Sequence, residues 1–338
     1  MAAYRGQTTF SEWQASPAAA NGVQCQDCHM RDVVGAGANK NGVPIRPDGS
    51  LEHPNSGQPL HDLTGGNAWV PYLLASALSG SPNYDPTNDQ LLNQGPQVLT
   101  LDLTQGVGLN AAALLAGVER AKQQLQLAAT IKALSYQSGT GVLSFRIQNN
   151  SGHKLISGFP EGRRMFVNIE AYQGGSKIYE VNPYAEALDG NGKGYTLKGL
   201  PHAPNSPPLG PNEAYVDELV YEVHPSSDLT GEAETFHFVL NNKLVKDNRI
   251  PPYGMDYDEA VQRNILPVPA DQYGDPGPGG AYRHWDEVAL NPPTGADHAT
   301  TPSSGSKSRD VASKNRFSEP KNRRGCSMYT TWHETGIS

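Results

Sequence analysis

The spacing of apolar residues along the chain changes once, near Thr130, and this change organises the predicted fold. Between Asn110 and Thr130, apolar residues recur three and four positions apart, which predicts one amphipathic helix with Asn110 as its N-cap. After Thr130 the apolar residues fall into short runs that are typical of β-strands. Five strands are predicted, over residues 142–148, 165–172, 177–181, 215–224 and 235–240.

Turn-forming residues dominate the rest of the chain. Residues 1–109 are rich in Gly, Pro and Asn and predict loops, with one helix over 10–20. Residues 248–293 are again rich in Pro and Gly and predict an ordered loop over the sheet. Because strands do not alternate with helices, we expect an α+β fold, with a loop-rich segment, a connecting helix and a mainly antiparallel, sandwich-like β domain.

The C-terminal segment differs in composition from the residues before it. Residues 298–338 carry seven Lys/Arg against three Asp/Glu among many Ser and Thr residues. This composition predicts a solvated, disordered tail, although a truncated or frame-shifted gene end would produce the same abrupt change. We therefore divide the chain into a loop-rich region (1–109), a connecting helix (110–131), a β-rich domain (132–297) and a basic tail.

Composition and charge narrow the function classes. The 338 residues are 37% hydrophobic and carry a formal net charge of −8, which leaves no basic surface typical of nucleic-acid binding. The sequence has no apolar run long enough to predict a membrane span. It also contains no P-loop, dinucleotide fingerprint or G-x-S-x-G motif, so nucleotide-dependent and hydrolase functions are not indicated.

Cys25, Cys28 and His29 form the motif C-x-x-C-H. In this motif two thiols add to the vinyl groups of haem and the adjacent histidine becomes the proximal iron ligand, so one short turn meets all three requirements. A thioredoxin-type redox pair would need a βαβ unit, which is not predicted here. Zinc would need further ligands, which Cys326 alone does not supply, although scattered histidines could. The motif therefore predicts one haem c.

Haem attachment to this motif takes place in an export compartment, so the sequence predicts a periplasmic or extracellular protein. The first residues, MAAYRGQTTFSEWQASP, lack the basic start and apolar stretch of a signal peptide. We therefore expect that Met1 is not the natural start and that upstream sequence has been lost.

Four segments resemble the multihaem c-type cytochromes of bacteria and archaea, over about residues 4–297. They are FSEWQASPAAANGVQCQDCHM (10–30), HDLTGGN (61–67), SGHKLISGFPEGRRM (151–165) and KDNRIPP (246–252). The resemblance implies a haem region joined to a β-rich C-terminal region, with other cytochromes or redox proteins as partners. Because this chain contains one C-x-x-C-H, we expect it to be a fragment of such a cytochrome.

The sixth iron ligand must come from another part of the chain, because Met30 is too close to the motif to reach the distal face. The resemblance points to His61 as the first choice and His153 as the second, and both lie beside glycines that would let the backbone approach a porphyrin. His53 is a third candidate.

Arg163 and Arg164 stand at the start of a predicted strand. Their guanidinium groups would suit hydrogen bonds to haem propionates. A structural ion pair with Glu161 or Asp247 is an equally good interpretation.

Three functions follow from these patterns. A haem with ligands on both faces would act as an electron carrier, and this is the predicted function. A haem with an open sixth position would act on a small nitrogen, sulfur or peroxide substrate. As a third alternative, the β-rich region would dock partner cytochromes, with the haem bridging two chains.

Overall fold

The computed structural model describes residues 9–30, 32–33, 58–59, 63–92, 108–158, 160–186, 195–201, 206–235, 237, 239–294, 296 and 328–334. Helices in these residues are α1 (Thr9–Ala15), α2 (Pro17–Ala20), α3 (Cys25–His29), α4 (Trp69–Ser76), α5 (Pro86–Leu92), α6 (Ala111–Ala128) and α7 (Tyr257–Arg263). Single 3-10 turns are formed by Pro160–Gly162, Asp217–Leu219 and Asp271–Tyr273. None of the described helices combines the length and the apolar character that crossing a bilayer requires.

The strands in the same residues are short and mostly antiparallel. They are β1 (Asp32–Val33), β2 (Gln58–Pro59), β3 (Ala129–Gln137), β4 (Val142–Asn149), β5 (Arg163–Gln173), β6 (Ser176–Val181), β7 (Tyr184–Glu186), β8 (Tyr195–Leu197), β9 (Glu213–Ala214), β10 (Val220–Tyr221), β11 (Val223–Ser226), β12 (Lys243–Asp247), β13 (Trp285–Leu290) and β14 (Met328–Glu334). Together with the helices, they confirm the predicted α+β class.

Two larger sheets and three strand pairs result. One sheet has the order β13-β4-β3, and the other has the order β10-β5-β6-β9 with β14 also paired to β5. The pairs are β1–β2, β7–β8 and β11–β12. The β6–β9 pair is parallel and the other described pairs are antiparallel.

The chain divides into two compact units. One comprises Met1–Pro17 together with Gln126–Ser338, and the other comprises Ala18–Leu125. The described residues 9–17 therefore group with the β-rich part of the chain, which the sequence pattern does not indicate. The C-x-x-C-H motif lies in the second unit.

Alternating side chains of β4 and β5 build the core of the β-rich unit. Leu143, Phe145 and Ile147 of β4 are buried, while the intervening Arg146 is exposed. They share one apolar cluster with three alternate residues of β5, which are Met165, Val167 and Ile169. Because side chains alternate across a strand, Phe166 of β5 belongs to a second cluster, with Leu197 and Val220.

The connecting helix agrees with its prediction. It spans Ala111–Ala128, and the side chain of Asn110 accepts a hydrogen bond from the backbone N–H of Ala113 at 3.1 Å, as expected of an N-cap. Val118, Ala121 and Leu125, spaced three and four apart, are its buried residues.

The other helices differ from the predictions. The helix predicted over 10–20 is two helices, because Pro17 lacks a backbone N–H and restricts the residue before it. The prediction of loops was wrong for Trp69–Ser76 and Pro86–Leu92, which are helical. The side chain of Asn67 accepts a hydrogen bond from Val70 N at 3.0 Å and so satisfies a backbone donor at the start of α4.

Three of the five predicted strands, over 142–148, 165–172 and 177–181, are confirmed within β4, β5 and β6. The prediction over 215–224 was only partly right, because a 3-10 turn at Asp217–Leu219 precedes β10 and β11. The prediction over 235–240 was wrong, since the described residues there form no strand and the pairing strand is Lys243–Asp247.

Strands β3 and β13 are among those that the sequence did not predict. Ala129–Gln137 follows α6 without a break, so β structure begins before residue 132. Trp285–Leu290 and the helix Tyr257–Arg263 lie in the segment predicted as loop. The apolar alternation of Trp285–Leu290 is interrupted in the sequence, because Asp286 occupies a buried position where an apolar residue is expected. The Asp286 carboxylate accepts a hydrogen bond there from the Tyr221 hydroxyl at 2.7 Å.

Part of the predicted tail has a described backbone. Met328–Glu334 forms a strand antiparallel to β5, with Met328 opposite Ile169 and Glu334 opposite Arg163. The remainder of residues 298–338 lies outside the described residues.

A buried charge cluster joins separate parts of the β-rich unit. Lys154 is fully buried, and its ammonium donates to Asp247 and to the carbonyl of Ile265, each at 2.7 Å. Arg249 binds the same Asp247 carboxylate at 2.7 and 2.9 Å. The Glu12 carboxylate of α1 accepts the backbone N–H of Lys154 at 2.7 Å. The cluster therefore contains two cations and two carboxylates.

Burial by itself would raise the pKa of Asp247, but the charges of Arg249 and Lys154 outweigh it and hold that pKa below its ordinary value. Burial lowers the pKa of Lys154, and the charge of Asp247 opposes that shift. The Asp247 carboxylate is therefore the negative charge that stabilises both buried cations.

We expect Asp247→Asn to lower the free energy of unfolding by about 3–5 kcal/mol, because it leaves two buried cations without their shared carboxylate. The loss should be present above pH of about 3.9, where an unfolded aspartate is charged, and should shrink as the pH falls through the lower folded pKa. Urea unfolding at several pH values measures it.

Asp228→Asn is the matched control. Asp228 pairs with Lys243, and both side chains are more than half exposed, at 53% and 55%. This substitution should cost less than about 1 kcal/mol. Equal losses in the two variants would contradict the importance of the buried cluster.

Candidate functional site

The C-x-x-C-H motif forms one turn of helix, α3 (Cys25–His29). Cys25, Cys28 and His29 stand at positions i, i+3 and i+4, which share one face of a helix. The Asp27 carboxylate accepts the backbone N–H of Gln24 at 2.7 Å and so satisfies a donor at the start of the turn. The fold therefore places the two thiols and the imidazole on the same side.

Two hydrogen bonds join His29 to Thr64, which lies 35 residues further along the chain. The Nδ1 atom of His29 lies 2.7 Å from the Thr64 carbonyl oxygen. The backbone N–H of Thr64 donates to the His29 carbonyl at 2.9 Å. Both ring and backbone of His29 are thus held by the backbone of one residue.

The His29–Thr64 contact also determines the tautomer of the ring. A carbonyl oxygen can only accept, so Nδ1 of His29 must carry the proton of the hydrogen bond. A neutral imidazole protonated at Nδ1 has its lone pair on Nε2. Metal-ligating histidines are oriented in this way by a backbone carbonyl or carboxylate, so the donor set fits a proximal iron ligand.

Both motif cysteines are free thiols and exposed. Partial desolvation of its sulfur nevertheless raises the pKa of the Cys28 thiol, and the negative charge of Asp27 and the neighbouring Cys25 add to the shift. Cys28 therefore remains a neutral thiol to a higher pH than an ordinary cysteine does.

The surroundings of α3 differ from those of a thioredoxin-type pair. Residues 9–24 before the motif form α1, α2 and a turn, whereas a thioredoxin-type motif follows a strand. In the part of the chain that the structure describes, no group of three His, Cys, Asp or Glu side chains is arranged to hold a metal ion.

The sequence did not predict that Thr64 and Leu63 belong to the candidate site. Both residues lie within HDLTGGN, two and three positions after the predicted ligand His61, and this is the sequence signal for them. Leu63 has a left-handed backbone, with φ of 46°, and its side chain is 63% exposed. An exposed leucine in this strained conformation is uncommon and often marks a functional position.

The structure also describes the second-choice distal ligand. His153 belongs to the β-rich unit, and its Nδ1 atom lies 3.0 Å from the carbonyl oxygen of Lys154. As with His29, this contact places the proton on Nδ1. His61, the first choice, and His53 lie outside the described residues.

Arg163 and Arg164 are also in the β-rich unit, at the start of β5. Arg163 donates from Nη1 to the Ser157 carbonyl at 3.0 Å. Arg164 forms a largely buried ion pair with Glu222, with Nε and Oε2 2.5 Å apart. Arg164 thus has a structural ion pair, as one of the two interpretations expected, but its partner is neither Glu161 nor Asp247.

No protein-family model matches the chain, and no curated protein does. Among solved structures, the chain is similar to a penta-heme cytochrome c552 from Thermochromatium tepidum, with 12% identity and a TM-score of 0.26 over 83% of this chain and 84% of that one. At this TM-score, the likeness supports no conclusion about fold or function.

The raised pKa of Cys28 can be tested on the full chain produced without haem. We expect its alkylation by iodoacetamide to reach half-maximal rate above the ordinary thiol value of about pH 8.5, because partial burial and Asp27 both disfavour the thiolate. Asp27→Asn should lower that midpoint while keeping an acceptor for Gln24. Mass mapping of the labelled peptide measures the rates, and equal midpoints in both proteins would contradict the role of Asp27.

Proposed function

We propose that this protein transfers electrons through one haem c bound covalently at Cys25 and Cys28, with His29 as the proximal iron ligand. One observation carries the proposal: two exposed thiols and an imidazole share one face of α3, and the Thr64 carbonyl orients that imidazole through Nδ1. Thiols and an oriented imidazole are the donor set that haem c requires.

When bound, haem c supplies an iron that alternates between the ferric and ferrous states. The chain contributes attachment, orientation and surroundings. Cys25 and Cys28 would fix the haem edge through thioethers, and Thr64 would hold His29 against rotation. The exposed side chain of Leu63, next to Thr64, would provide apolar surface for the macrocycle.

The distal ligand separates an electron carrier from an enzyme. We propose His61 as the first choice and His153 as the second. The Nδ1 contact of His153 with the Lys154 carbonyl supports its candidacy, because it is the orientation found for metal-ligating imidazoles. With both axial positions filled, the haem would exchange electrons without binding a substrate.

A single haem needs donors and acceptors, so we propose other cytochromes or redox proteins as partners in a periplasmic or extracellular electron-transfer chain. A multihaem cytochrome of which this chain is part is one such arrangement. To bind a haem propionate, Arg163 would have to give up its hydrogen bond to the Ser157 carbonyl. Arg164 would have to break its ion pair with Glu222.

The covalent attachment is tested by exporting the protein in a host with c-type maturation. We expect haem colour to stay with the protein after acid-acetone extraction, because thioether bonds survive that treatment. The variant Cys25→Ala with Cys28→Ala should lose the colour. Asp228→Asn, an exposed substitution remote in sequence from the motif, should keep it. Colourless wild-type protein that instead holds zinc would refute the haem proposal.

The axial ligation is tested by spectroscopy of the exported protein. If His61 is the distal ligand, ferric protein should be low-spin and ferrous protein should bind carbon monoxide slowly. His61→Ala should then give a high-spin or water-ligated ferric form with fast carbon monoxide binding, while His153→Ala should leave the spectrum nearly unchanged.

The reverse pattern would assign the distal position to His153 and keep the carrier function. A wild-type protein that is already high-spin would leave the iron accessible to a small substrate. That result would refute the electron-carrier function and favour the alternative function of a haem enzyme.

A further inference from the structure

Gly66 lies unusually close to α6. A Cβ atom at this position would be 2.8 Å from Cδ2 of Leu125, a distance that real Cβ atoms essentially never show. Leu125 is only 6% exposed, so its side chain cannot swing into solvent without losing packing. A side chain at position 66 must therefore displace the local backbone or disturb Leu125.

The same part of the chain is fixed on α6 by a second contact. Ala68 packs with Val118 and Ala121 in a small apolar cluster of the motif-bearing unit. A backbone hydrogen bond from Ala68 N to the Gly66 carbonyl, at 3.1 Å, links this cluster to Gly66. The backbone at Gly66 is therefore held against the buried face of α6.

Thr64 stands two residues before Gly66, and its carbonyl accepts the Nδ1 proton of His29 at 2.7 Å. A hydrogen bond this short is sensitive to small displacements of the acceptor. Moving the backbone at Gly66 would lengthen it. Leu125 of α6 thus contacts Gly66, and the backbone of Gly66 is joined through one residue to Thr64, which binds His29.

We infer that α6 positions the His29 imidazole, and that the contact between Leu125 and Gly66 holds the Thr64 carbonyl in place to accept from Nδ1. Gly66 and Leu125 are positioning residues in this inference, which rests on the proposed function for its effect on haem. Donation from Nδ1 to a carbonyl increases the basicity of Nε2 and so favours ferric over ferrous iron.

The exported, haem-loaded protein provides the first test. Gly66→Ala should shift the reduction potential to a more positive value, because a longer Nδ1 hydrogen bond makes His29 a weaker donor. We expect a change of up to about tenfold in the ferric–ferrous equilibrium, which is about 59 mV for one electron. The g-values of the low-spin ferric protein should change with it.

Gly65→Ala is the matched control. Gly65 is the adjacent residue, a Cβ there would meet nothing within 4 Å, and its φ lies outside the left-handed range, as does that of Gly66. This variant should keep the wild-type potential. A Gly66→Ala protein with wild-type potential and g-values, or an equal shift in both variants, would overturn the inference.

Leu125→Ala provides a rescue experiment. Removing the Leu125 side chain makes room for a Cβ at position 66, so Gly66→Ala should have little further effect on the potential in the Leu125→Ala background. An undiminished shift in that background would mean that the contact between Leu125 and Gly66 is not responsible.

A second readout does not need haem. The Thr64 amide donates to the His29 carbonyl at 2.9 Å, so its hydrogen exchange reports the same junction in the full chain without haem. Exchange should become about tenfold faster in Gly66→Ala and stay unchanged in Gly65→Ala. Unchanged exchange in Gly66→Ala would overturn the positioning role. Wild-type protein that binds no haem would refute the proposed function while this measurement still decides the inference.

Discussion

The shared use of one carboxylate, Asp247, by two buried cations is the constraint on which the β-rich unit depends. Lys154 and Arg249 both bind it, and Glu12 completes the balance of charge from α1. A buried charge is tolerated only when it is paired and hydrogen-bonded, so the segments that carry these residues must meet. Leu155 and Ile250 accordingly bridge their backbones beside the cluster, and Asn149 donates to the Ile250 carbonyl at 2.9 Å.

This cluster also explains why charged residues occur in two of the segments that resemble multihaem cytochromes. SGHKLISGFPEGRRM contains Lys154, and KDNRIPP contains Asp247 and Arg249. Both segments supply partners of the same buried cluster, and Arg249 further donates to the Ile156 carbonyl at 3.2 Å. Their charged residues are thus used in the structure of the β-rich unit, and the sequence pattern alone did not separate this use from binding a cofactor.

The motif-bearing unit depends on a different kind of contact. There the backbone of Thr64 holds both the ring and the carbonyl of His29, and the glycine at position 66 lets that backbone lie against α6. The contact combines two hydrogen bonds between His29 and Thr64 with the missing Cβ atom of Gly66. An imidazole held in this way has a defined tautomer and direction, which a single helical turn could not enforce by itself.

The sequence alone determined whatever depends on local spacing: helix α6 and its Asn110 cap, strands β4, β5 and β6, and the motif of Cys25, Cys28 and His29, whose helical spacing puts them on one face. The tertiary structure decided what depends on distant partners. Trp285–Leu290 is a strand although Asp286 breaks its apolar alternation, because Tyr221 satisfies the buried carboxylate. Arg164 pairs with Glu222, 58 residues away, and Thr64 orients His29. Such pairings carry no periodic signal, since hydrogen bonds between distant residues leave no spacing in the sequence.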